Sequence, residues 1–301
     1  PGHGVRPFNL SHAAATGAID VAIREHAMNT FLERSLDAFA QFEALPNFSA
    51  EQSAATLADA YACQSQIVAA LRGTPSFGDI FGYKAALTAP VAQQAMGTDQ
   101  PVIGVLPTAG DFSAAAQSGP LQLQRPVMLE TELGFTLAED IAAGTGAKPA
   151  QPLSAADVPQ LIASCQPMIE LAAPHLANRP NGIDLVATNS ATYGFLCGTA
   201  LQASATTQND WARGKWSPDE VDVSFYRGAE SLHAASANMV MESQWAALAW
   251  LINTVLAQGY KLNKGHLLMT GSIGALHPAK PGHYRAEFSG LGCIEFEVAG
   301  V

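Results

Sequence analysis

The segment LETELGFTL, residues 129–137, constrains the fold most, because polar and apolar residues alternate along it. Such period-two alternation predicts a β-strand with one buried face. On that strand Glu130 and Glu132 share the face opposite the leucines. Carboxylates about 7 Å apart on one face repel each other unless water or a cation lies between them. The segment therefore predicts either a solvated strand face or an oxygen-ligand site for a hard ion such as Mg²⁺, Mn²⁺ or Ca²⁺.

Helical patterns lie mainly in the N-terminal quarter of the chain. Apolar spacing predicts two helices within residues 17–71, separated at residues 46–49, and a later helix at residues 243–258. Ser154 has the character of a helix N-cap and predicts a further helix that runs toward Cys165.

Strand patterns dominate the rest of the chain. They are predicted at Val127–Leu137, Ile183–Thr188, Val221–Tyr226, His266–Thr270, Tyr284–Phe288 and Cys293–Val298. Strands spread among few helices predict an α+β fold rather than a doubly wound parallel sheet. The change in pattern near residue 75 predicts a helical N-terminal region, residues 1–75, and a β-rich catalytic domain, residues 76–301.

Composition excludes several classes of protein. The 301 residues carry a formal net charge of −11, which would repel nucleic-acid phosphates and anionic lipids. The most apolar window, residues 245–257, is shorter than the ~20 residues that cross a bilayer. We therefore expect no nucleic-acid partner and no membrane span. Because the chain begins Pro1-Gly2-His3, we expect a processed N-terminus, which leaves a cytoplasmic and an exported periplasmic location open.

Several catalytic signatures are missing from the sequence. Gly144-Thr145-Gly146 lacks the third glycine of a dinucleotide loop, and no Walker A lysine motif occurs. The glycine directly before Ser272 gives a spacing different from that of a nucleophile elbow. No two histidines have the HxxxH or HxH spacing of a zinc site. These absences disfavour dinucleotide enzymes, P-loop proteins, serine hydrolases and histidine-built zinc enzymes.

Lys84 is the single charged residue in the stretch FGYKAALT, residues 81–88. A lysine in such surroundings either extends its ammonium group to the surface or lies partly buried with a lowered pKa, ready for acid–base chemistry. The sequence by itself leaves both interpretations open.

Five blocks in order resemble one known family. GYKAALTAPVAQQAMGTDQPVIGVL, residues 82–106, resembles the GYKIGLTS…Q…G…P…G.L block of the 2-keto-4-pentenoate hydratase family, in the fumarylacetoacetate hydrolase superfamily. LETELGFTL resembles the ExE strand of that family, PMIEL its PAIEI segment, and ATNSATYGFLCG its ADNASSG followed by an apolar strand. The C-terminal run from ALAWL through LLMTGSIGALHPAKPGHYRAEFSGLGCIEF resembles the closing LTGS…PG…A.FSGLG. The resemblance covers about residues 50–300.

This resemblance implies a fumarylacetoacetase-like mixed β-sheet roll with a helical N-terminal region. It also implies that Glu130, Glu132 and Glu170 are the ligands of one divalent cation, Mg²⁺ or Mn²⁺, and that Lys84 is the catalytic lysine. The partner expected from the family is a small-molecule 2-oxo acid, in the catabolism of aromatic compounds, and the expected assembly is a homo-oligomer.

The resemblance also suggests residues that line the substrate pocket: Tyr83, Gln93, Asn189 and Ser272. Each also has a purely structural interpretation. Asn189 could cap a turn, and Ser272 with its glycines could form a tight bend in which the backbone matters rather than the hydroxyl.

Departures from the family pattern lie around the expected substrate. After Glu170 the family reads IVDSR, whereas this chain has LAAPH, which removes an acidic and a basic side chain. Thr188 replaces the aspartate of ADNASSG, Ala191 replaces its first paired serine, and His266 stands where GD is common. We therefore expect an intact metal site with altered contacts to the substrate.

The leading functional prediction is a metal-dependent hydratase or lyase for an unsaturated 2-oxo acid of the 2-hydroxypenta-2,4-dienoate type. The alternatives are an oxalocrotonate-type decarboxylase, an acylpyruvate C–C hydrolase, and a degenerate homologue that binds a small acid without chemistry. The hydrolase branch generally needs an added His/Glu pair, which is not identifiable here. A vacant acidic cluster costs stability through repulsion, which disfavours the degenerate homologue.

Overall fold

The computed structural model describes residues 28–41, 43–141, 151–174, 176–202 and 216–300. Its helices are α1 (28–41), α2 (Phe48–Glu51), α3 (Leu57–Leu71), α4 (Pro90–Met96), α5 (Ser113–Ser118), α6 (Gly182–Ala187) and α7 (Gln244–Ala257). Its strands are β1 (Ile80–Ala86), β2 (Val102–Pro107), β3 (Met128–Leu137), β4 (Ile162–Ala172), β5 (Thr192–Cys197), β6 (Leu201–Gln202), β7 (Asp222–Arg227), β8 (Glu230–Ser236), β9 (Leu267–Met269), β10 (His277–Pro278), β11 (Gly282–Phe288) and β12 (Gly292–Val298). Short 3₁₀ turns cover Thr108–Gly110, Ala155–Asp157, Pro159–Leu161, Pro218–Glu220 and Ala237–Met239. The predicted α+β class is confirmed.

The larger sheet has the strand order β2-β1-β9-β3-β4-β5, with β10 paired to β3 and β6 paired to β4. Strands β1 and β9 run parallel, and the other neighbours are antiparallel. The backbone just after β2 returns to β5, where Asp111 forms a bridge with Phe195 and the Phe112 N–H donates to the Phe195 carbonyl at 3.0 Å. Because the two ends of the strand order meet, the sheet curls into the mixed roll that the resemblance implies.

The smaller sheet is antiparallel, with the order β12-β11-β7-β8. Its buried face is aromatic, since the Tyr284 ring stacks on Phe225 at 5.7 Å and on Phe296 at 5.1 Å. Leu121, in the segment that leads from α5 to β3, pairs with the end of β12: its N–H donates to the Glu297 carbonyl at 2.7 Å and its carbonyl accepts from the Ala299 N–H at 3.0 Å. The smaller sheet is therefore fixed against the roll.

The strands predicted at residues 127–137, 221–226, 266–270, 284–288 and 293–298 are present as β3, β7, β9, β11 and β12. The helix predicted at 243–258 is present as α7, whose Leu248, Ile252 and Val255 are buried. Its Trp245 is half-buried and lies 5.8 Å from the Phe135 ring. Within the described ranges, no helix is both long and apolar enough to span a membrane.

Helices α1 to α3 share one hydrophobic core with the strands. The rings of Phe31 and Phe48 meet edge to face at 4.9 Å, and the Ile103 N–H of β2 donates to the Tyr61 hydroxyl at 3.0 Å. The domain boundary near residue 75 stays a prediction. Residues 1–27, Gly144-Thr145-Gly146 and His175 lie outside the described residues.

The strand predicted at residues 183–188 is wrong, because this segment forms helix α6. A capping box starts the helix: the Asn181 side chain accepts from the Asp184 N–H, and the Asp184 carboxylate accepts from the Asn181 N–H. The local N-cap signal therefore outweighed the β-type composition that suggested a strand.

The helix predicted from Ser154 toward Cys165 is also wrong. The Ser154–Asp157 capping box is present, but only two 3₁₀ turns follow, and β4 begins at Ile162. Pairing of β4 with β3 over almost their full length overrides the helix start.

Candidate active site

Three carboxylates meet on one face of the roll, near the Met128 end of the β3–β4 ladder. Glu130 and Glu132 lie two residues apart on the same face of β3. Glu170 of β4 is directly opposite Glu130 in the register. One carboxylate oxygen from each glutamate lies within 4.8 Å of the others. The predicted convergence of these residues is therefore observed, although it comes from strand pairing rather than from the ExE spacing alone.

The environment of the cluster opposes ionisation of its carboxyls. Burial, followed by the charge of Glu170, raises the pKa of Glu130 to about 8, while Lys84 and Ser272 act in the opposite direction. Burial, Glu170 and Glu130 raise the pKa of Glu132 well above its usual range. Like charges directly opposite in a ladder are destabilising.

The donor set fits a hard divalent cation. The Oε2 atom of Glu132 accepts from the Gly271 N–H at 2.9 Å, whereas its buried Oε1 atom has no hydrogen-bond partner among the described residues. An orphaned carboxylate oxygen beside two further carboxylates is chemically suited to Mg²⁺, Mn²⁺ or Ca²⁺. The solvated strand face, which the sequence left open, is excluded, since Glu132 and Glu170 are buried.

Lys84 reaches this cluster from another strand and forms an ion pair with Glu170. Strands β1 and β4 are three positions apart in the sheet order, about 14 Å in a flat sheet. Only the curl of the roll lets the Lys84 ammonium group contact the Glu170 carboxylate. The lysine is buried, with a relative exposure of 2%, so the surface-extended interpretation is wrong.

The Lys84 ammonium is stabilised rather than weakened by its surroundings. Burial lowers the pKa of Lys84, but the combined attraction of Glu170, Glu130 and Glu132 outweighs that effect and leaves the pKa raised. The lowered pKa considered from the sequence is therefore wrong for the metal-free protein. In this state Lys84 is a proton donor, not a base.

A small-residue gap positions the lysine stem. Gly104 of β2 stands opposite Lys84 in the β1–β2 ladder. A Cβ atom on Gly104 would lie 3.0 Å from Lys84 Cε and 2.7 Å from the Thr192 Oγ1 atom. Gly104 thus leaves the space through which the side chain of Lys84 passes.

A cavity of about 320 Å³ opens beside the cluster. Its polar wall contains Lys84, Glu130, Glu170 and Ser272, and most of its remaining wall is apolar. This volume is at the lower end of small-molecule sites.

Ser272 lines the cavity as predicted from the resemblance. Its buried hydroxyl has no hydrogen-bond partner of normal geometry among the described residues, and it lies against Glu130. The preceding Gly271 has φ +115°, a conformation that favours glycine, and its N–H orients Glu132. The bend therefore acts through its backbone as well as through the Ser272 side chain.

Tyr83 and Gln93 do not line this cavity, which corrects the sequence-based assignment. Tyr83 points to the opposite face of β1 from Lys84, where its hydroxyl donates to the Lys261 carbonyl at 2.8 Å. The Gln93 amide donates to the Leu87 carbonyl at 2.9 Å and fixes the turn between β1 and α4. Both side chains therefore stabilise the backbone around the site without contacting the cavity.

Asn189 is likewise structural. Its amide pairs with both backbone groups of Val105, accepting at 2.7 Å and donating at 2.9 Å. Asn189, Ser190 and Ala191 have φ values of 68°, 52° and 58°, so three consecutive residues adopt the left-handed conformation. The side chain of Asn189 holds this turn against β2, while Ser190 and Ala191 line the cavity.

Sequence reasoning gave no role to Gly104 or Thr192, and it considered Gly271 only as part of a tight bend at Ser272. Gly104 is the final glycine of the G.L pattern within the block at residues 82–106, so a signal was present. Its significance depends on the residue across the ladder, which the pattern does not show. Thr192 and Gly271 are recognised only from their contacts.

The chain is similar to known enzymes in sequence and in fold. No protein-family model matches the chain. The 2-keto-4-pentenoate hydratase of Paraburkholderia xenovorans strain LB400 is 26% identical over 246 residues, which are 79% of this chain and 82% of that protein.

Two solved structures share the fold. The 4-oxalocrotonate decarboxylase of Pseudomonas putida G7, complexed with magnesium and adipate, superposes with a TM-score of 0.73 and 22% identity over 91% of this chain and 98% of that chain. The fumarylpyruvate hydrolase of Pseudomonas aeruginosa, in complex with Mn²⁺ and pyruvate, has a TM-score of 0.53 and 13% identity over 74% of this chain and 91% of that chain.

The described residues thus have the fold of proteins of the fumarylacetoacetate hydrolase superfamily, and this fold carries a cluster of three carboxylates. Within that superfamily, the predicted resemblance to the 2-keto-4-pentenoate hydratase family is confirmed.

Proposed function

We propose that this protein is a divalent-metal-dependent hydratase acting on an unsaturated 2-oxo acid of the 2-hydroxypenta-2,4-dienoate type. The observation that carries the proposal is the convergence of Glu130, Glu132 and Glu170 with Lys84 at one end of a largely apolar cavity. The hydratase names of two relatives support this reaction. Mg²⁺ and Mn²⁺ are the cations we propose for the three carboxylates.

When bound, a divalent cation would supply Lewis-acid stabilisation of negative charge on the oxygens of the 2-oxo acid group. The three glutamates would hold that cation, and Gly271 would keep Glu132 in position through its N–H. Cation binding would also offset the carboxylate charges that hold the proton on Lys84, so the lysine could release it more readily.

The reaction adds one water to the dienol. The enol oxygen loses a proton, a chain carbon gains one, and water then adds across the remaining double bond. We assign the transfer of the proton between these positions to Lys84 Nζ, and its ion pair with Glu170 supports this role. The apolar wall of the cavity limits the entry of bulk water.

The enzymatic test compares three substrates in the presence of Mg²⁺: 2-hydroxypenta-2,4-dienoate, oxalocrotonate and an acylpyruvate. We expect loss of dienol absorbance with the first and formation of a hydroxylated 2-oxo acid. Carbon dioxide release from oxalocrotonate as the fastest reaction would favour the decarboxylase instead, and acylpyruvate cleavage would favour the hydrolase. Turnover of none of them, together with intact metal binding, would support the degenerate homologue.

The role of Lys84 is tested by Lys84→Met, which keeps the stem and removes the ammonium group. We expect kcat to fall about 100- to 10,000-fold, the range for loss of a general acid–base group. Lys264→Met removes an exposed lysine and serves as the control. Full activity in Lys84→Met would refute the role in proton transfer.

We also propose a homo-oligomer. The proposal is supported by three large apolar residues that are exposed in the single chain: Val91 of α4, Met239 and Leu276, with exposures of 74%, 53% and 48%. Analytical ultracentrifugation of the full chain at micromolar concentration tests the assembly, and a single monomeric species would contradict it.

A further inference from the structure

The wall of the catalytic cavity is nearly free of positive charge. Among the described residues that line it, Lys84 is the one basic side chain, and its ammonium is already paired with Glu170. Two other polar residues outside the carboxylate end are Thr88 and Ser190, and the Ser190 hydroxyl donates to the Ile103 carbonyl at 2.6 Å. The cavity thus offers little to a second anionic group.

The part of the wall away from the carboxylates is built from apolar side chains. Representative members are Leu87, Met96, Met128, Pro174, Leu185 and Leu276. Pro174 and Ala191 stand where the IVDSR and ADNASSG patterns have serines, so two polar positions are apolar in this chain. Apolar contact there favours a ligand end that loses little hydration when it is buried.

The apolar wall continues to the mouth of the cavity. Met239 and Leu276 line it and remain half-exposed, and the Gly274 N–H donates to Met239 Sδ at 3.0 Å. A substrate tail longer than a vinyl group could therefore extend along a continuous apolar path.

The charge balance of the site also disfavours a second anionic group on the ligand. Three ionised glutamates, one ammonium group and one divalent cation sum to zero, so one substrate carboxylate already brings the site to −1. A second carboxylate buried within the cavity would meet no further counterion among the described lining residues, and an unpaired buried charge is among the costliest arrangements in a protein interior.

We propose that the site selects monocarboxylic 2-oxo and 2-hydroxydienoic acids whose far end is an alkyl or aryl group, and rejects dicarboxylic acids. This inference rests on the proposed function for the position of the 2-oxo acid group. It distinguishes this chain's substrate from oxalocrotonate and fumarylpyruvate, which each carry a second carboxylate.

A matched pair of ligands tests the selection without turnover. 2-Oxohexanoate and 2-oxoadipate have the same number of carbons, and a terminal methyl group in one replaces a carboxylate in the other. We expect calorimetry with Mg²⁺ to show at least about 30-fold tighter binding of 2-oxohexanoate, a difference of about 2 kcal/mol. Equal or tighter binding of 2-oxoadipate would overturn the proposal.

Oxalate separates this result from failure of the proposed function, because it presents only the chelating head group. If oxalate binds in an Mg²⁺-dependent manner while 2-oxoadipate is preferred, the specificity inference is wrong and the metal site stands. If oxalate does not bind with Mg²⁺, the proposed function and the inference that rests on it both fail.

Leu276→Arg supplies the missing counterion at the mouth of the cavity. We expect it to improve the binding of 2-oxoadipate relative to 2-oxohexanoate at least about tenfold, because a nearby opposite charge favours the buried carboxylate. Gln94→Arg adds the same charge on an exposed residue outside the lining and should leave the ratio unchanged. An equal effect of both substitutions would show that general surface charge, not the cavity wall, sets the preference.

Discussion

The side chain of Lys84 lies across the backbone of Gly104, the residue directly opposite it in the β1–β2 ladder. This arrangement fixes the stem of the lysine before its ammonium group reaches Glu170. Two features therefore position the Lys84 ammonium group: the lack of a side chain at Gly104 and the curl of the sheet.

Gly104→Ala should impair catalysis more than folding. The added methyl group would lie 3.0 Å from Lys84 Cε and 3.2 Å from Cγ, so the lysine must move. A displacement of about 1 Å can cost about 100-fold in rate, and we expect kcat to fall ~10- to 100-fold with metal affinity little changed. Steady-state kinetics with Mg²⁺ and a calorimetric metal titration measure the two effects.

Gly134→Ala is the matched control for that substitution. Its added methyl group would meet Met168 Cγ at 2.7 Å, which is comparable crowding against a flexible side chain outside the carboxylate–lysine cluster. A similar loss of kcat in both variants would show that strain in the sheet, rather than the position of Lys84, causes the defect.

Glu132→Gln should abolish tight metal binding without destabilising the metal-free fold. Burial and two neighbouring glutamates raise the pKa of Glu132 well above its usual range, so the metal-free fold disfavours the ionised carboxylate that the amide replaces. Loss of a direct ligand should weaken Mg²⁺ or Mn²⁺ binding at least about 100-fold, because loss of a residue that only orients a metal ligand already costs up to about 100-fold. Thermal unfolding with EDTA should give a Tm no lower than that of the native protein. The exposed Glu139→Gln provides the charge-matched control, and undiminished metal affinity in Glu132→Gln would contradict the ligand assignment.

Metal binding should release protons and strengthen as the pH rises. The pKa of Glu130 is raised to about 8, chiefly by burial and then by Glu170, so this carboxyl is protonated below that pH and must ionise to bind a cation. We expect affinity for Mg²⁺ to increase from pH 6 to about pH 8. Calorimetry in two buffers with different ionisation enthalpies measures the protons released. Heats that do not depend on the buffer at pH 7 would contradict the protonated cluster.

His233 should make the fold sensitive to mild acid. Its Nε2 lies 3.1 Å from Thr131 Oγ1, which donates to the Ile273 carbonyl, and its Nδ1 lies 2.9 Å from His277 Nε2. Burial and the neighbouring His277 lower the pKa of His233 to about 4. The unfolded chain takes up this proton near pH 6.5, before the folded protein does, so the free energy of unfolding should fall between pH 6.5 and pH 4.

The variant His233→Gln isolates this contribution. Its stability relative to the native protein should improve as the pH falls from 7 to 4.5 in denaturant titrations. His283→Gln changes an exposed histidine and should show no such trend. Parallel curves for native protein and His233→Gln would contradict the buried neutral state of His233.

The sequence by itself determined the elements whose signals are local. Alternation in LETELGFTL defined β3 and the shared face of Glu130 and Glu132, and the helical apolar stripe defined α7. Where two local signals competed, as at Asn181 with Asp184, the capping box determined helix α6 and the β-type composition misled. The resemblance correctly brought Glu170 and Lys84 into the candidate site, but it also brought Tyr83, Gln93 and Asn189, which support the site from outside the cavity.

Tertiary structure decided everything that depends on pairing between distant strands. The register places Glu170 opposite Glu130, and the curl of the sheet brings Lys84 across three strand positions. These relationships depend on hydrogen-bond register and on closure of the roll, neither of which is encoded in the spacing of residues along one strand. The same physical reason explains the protonation of the site: the pKa values of Glu130 and Lys84 follow from burial and from charges that only the folded chain brings together.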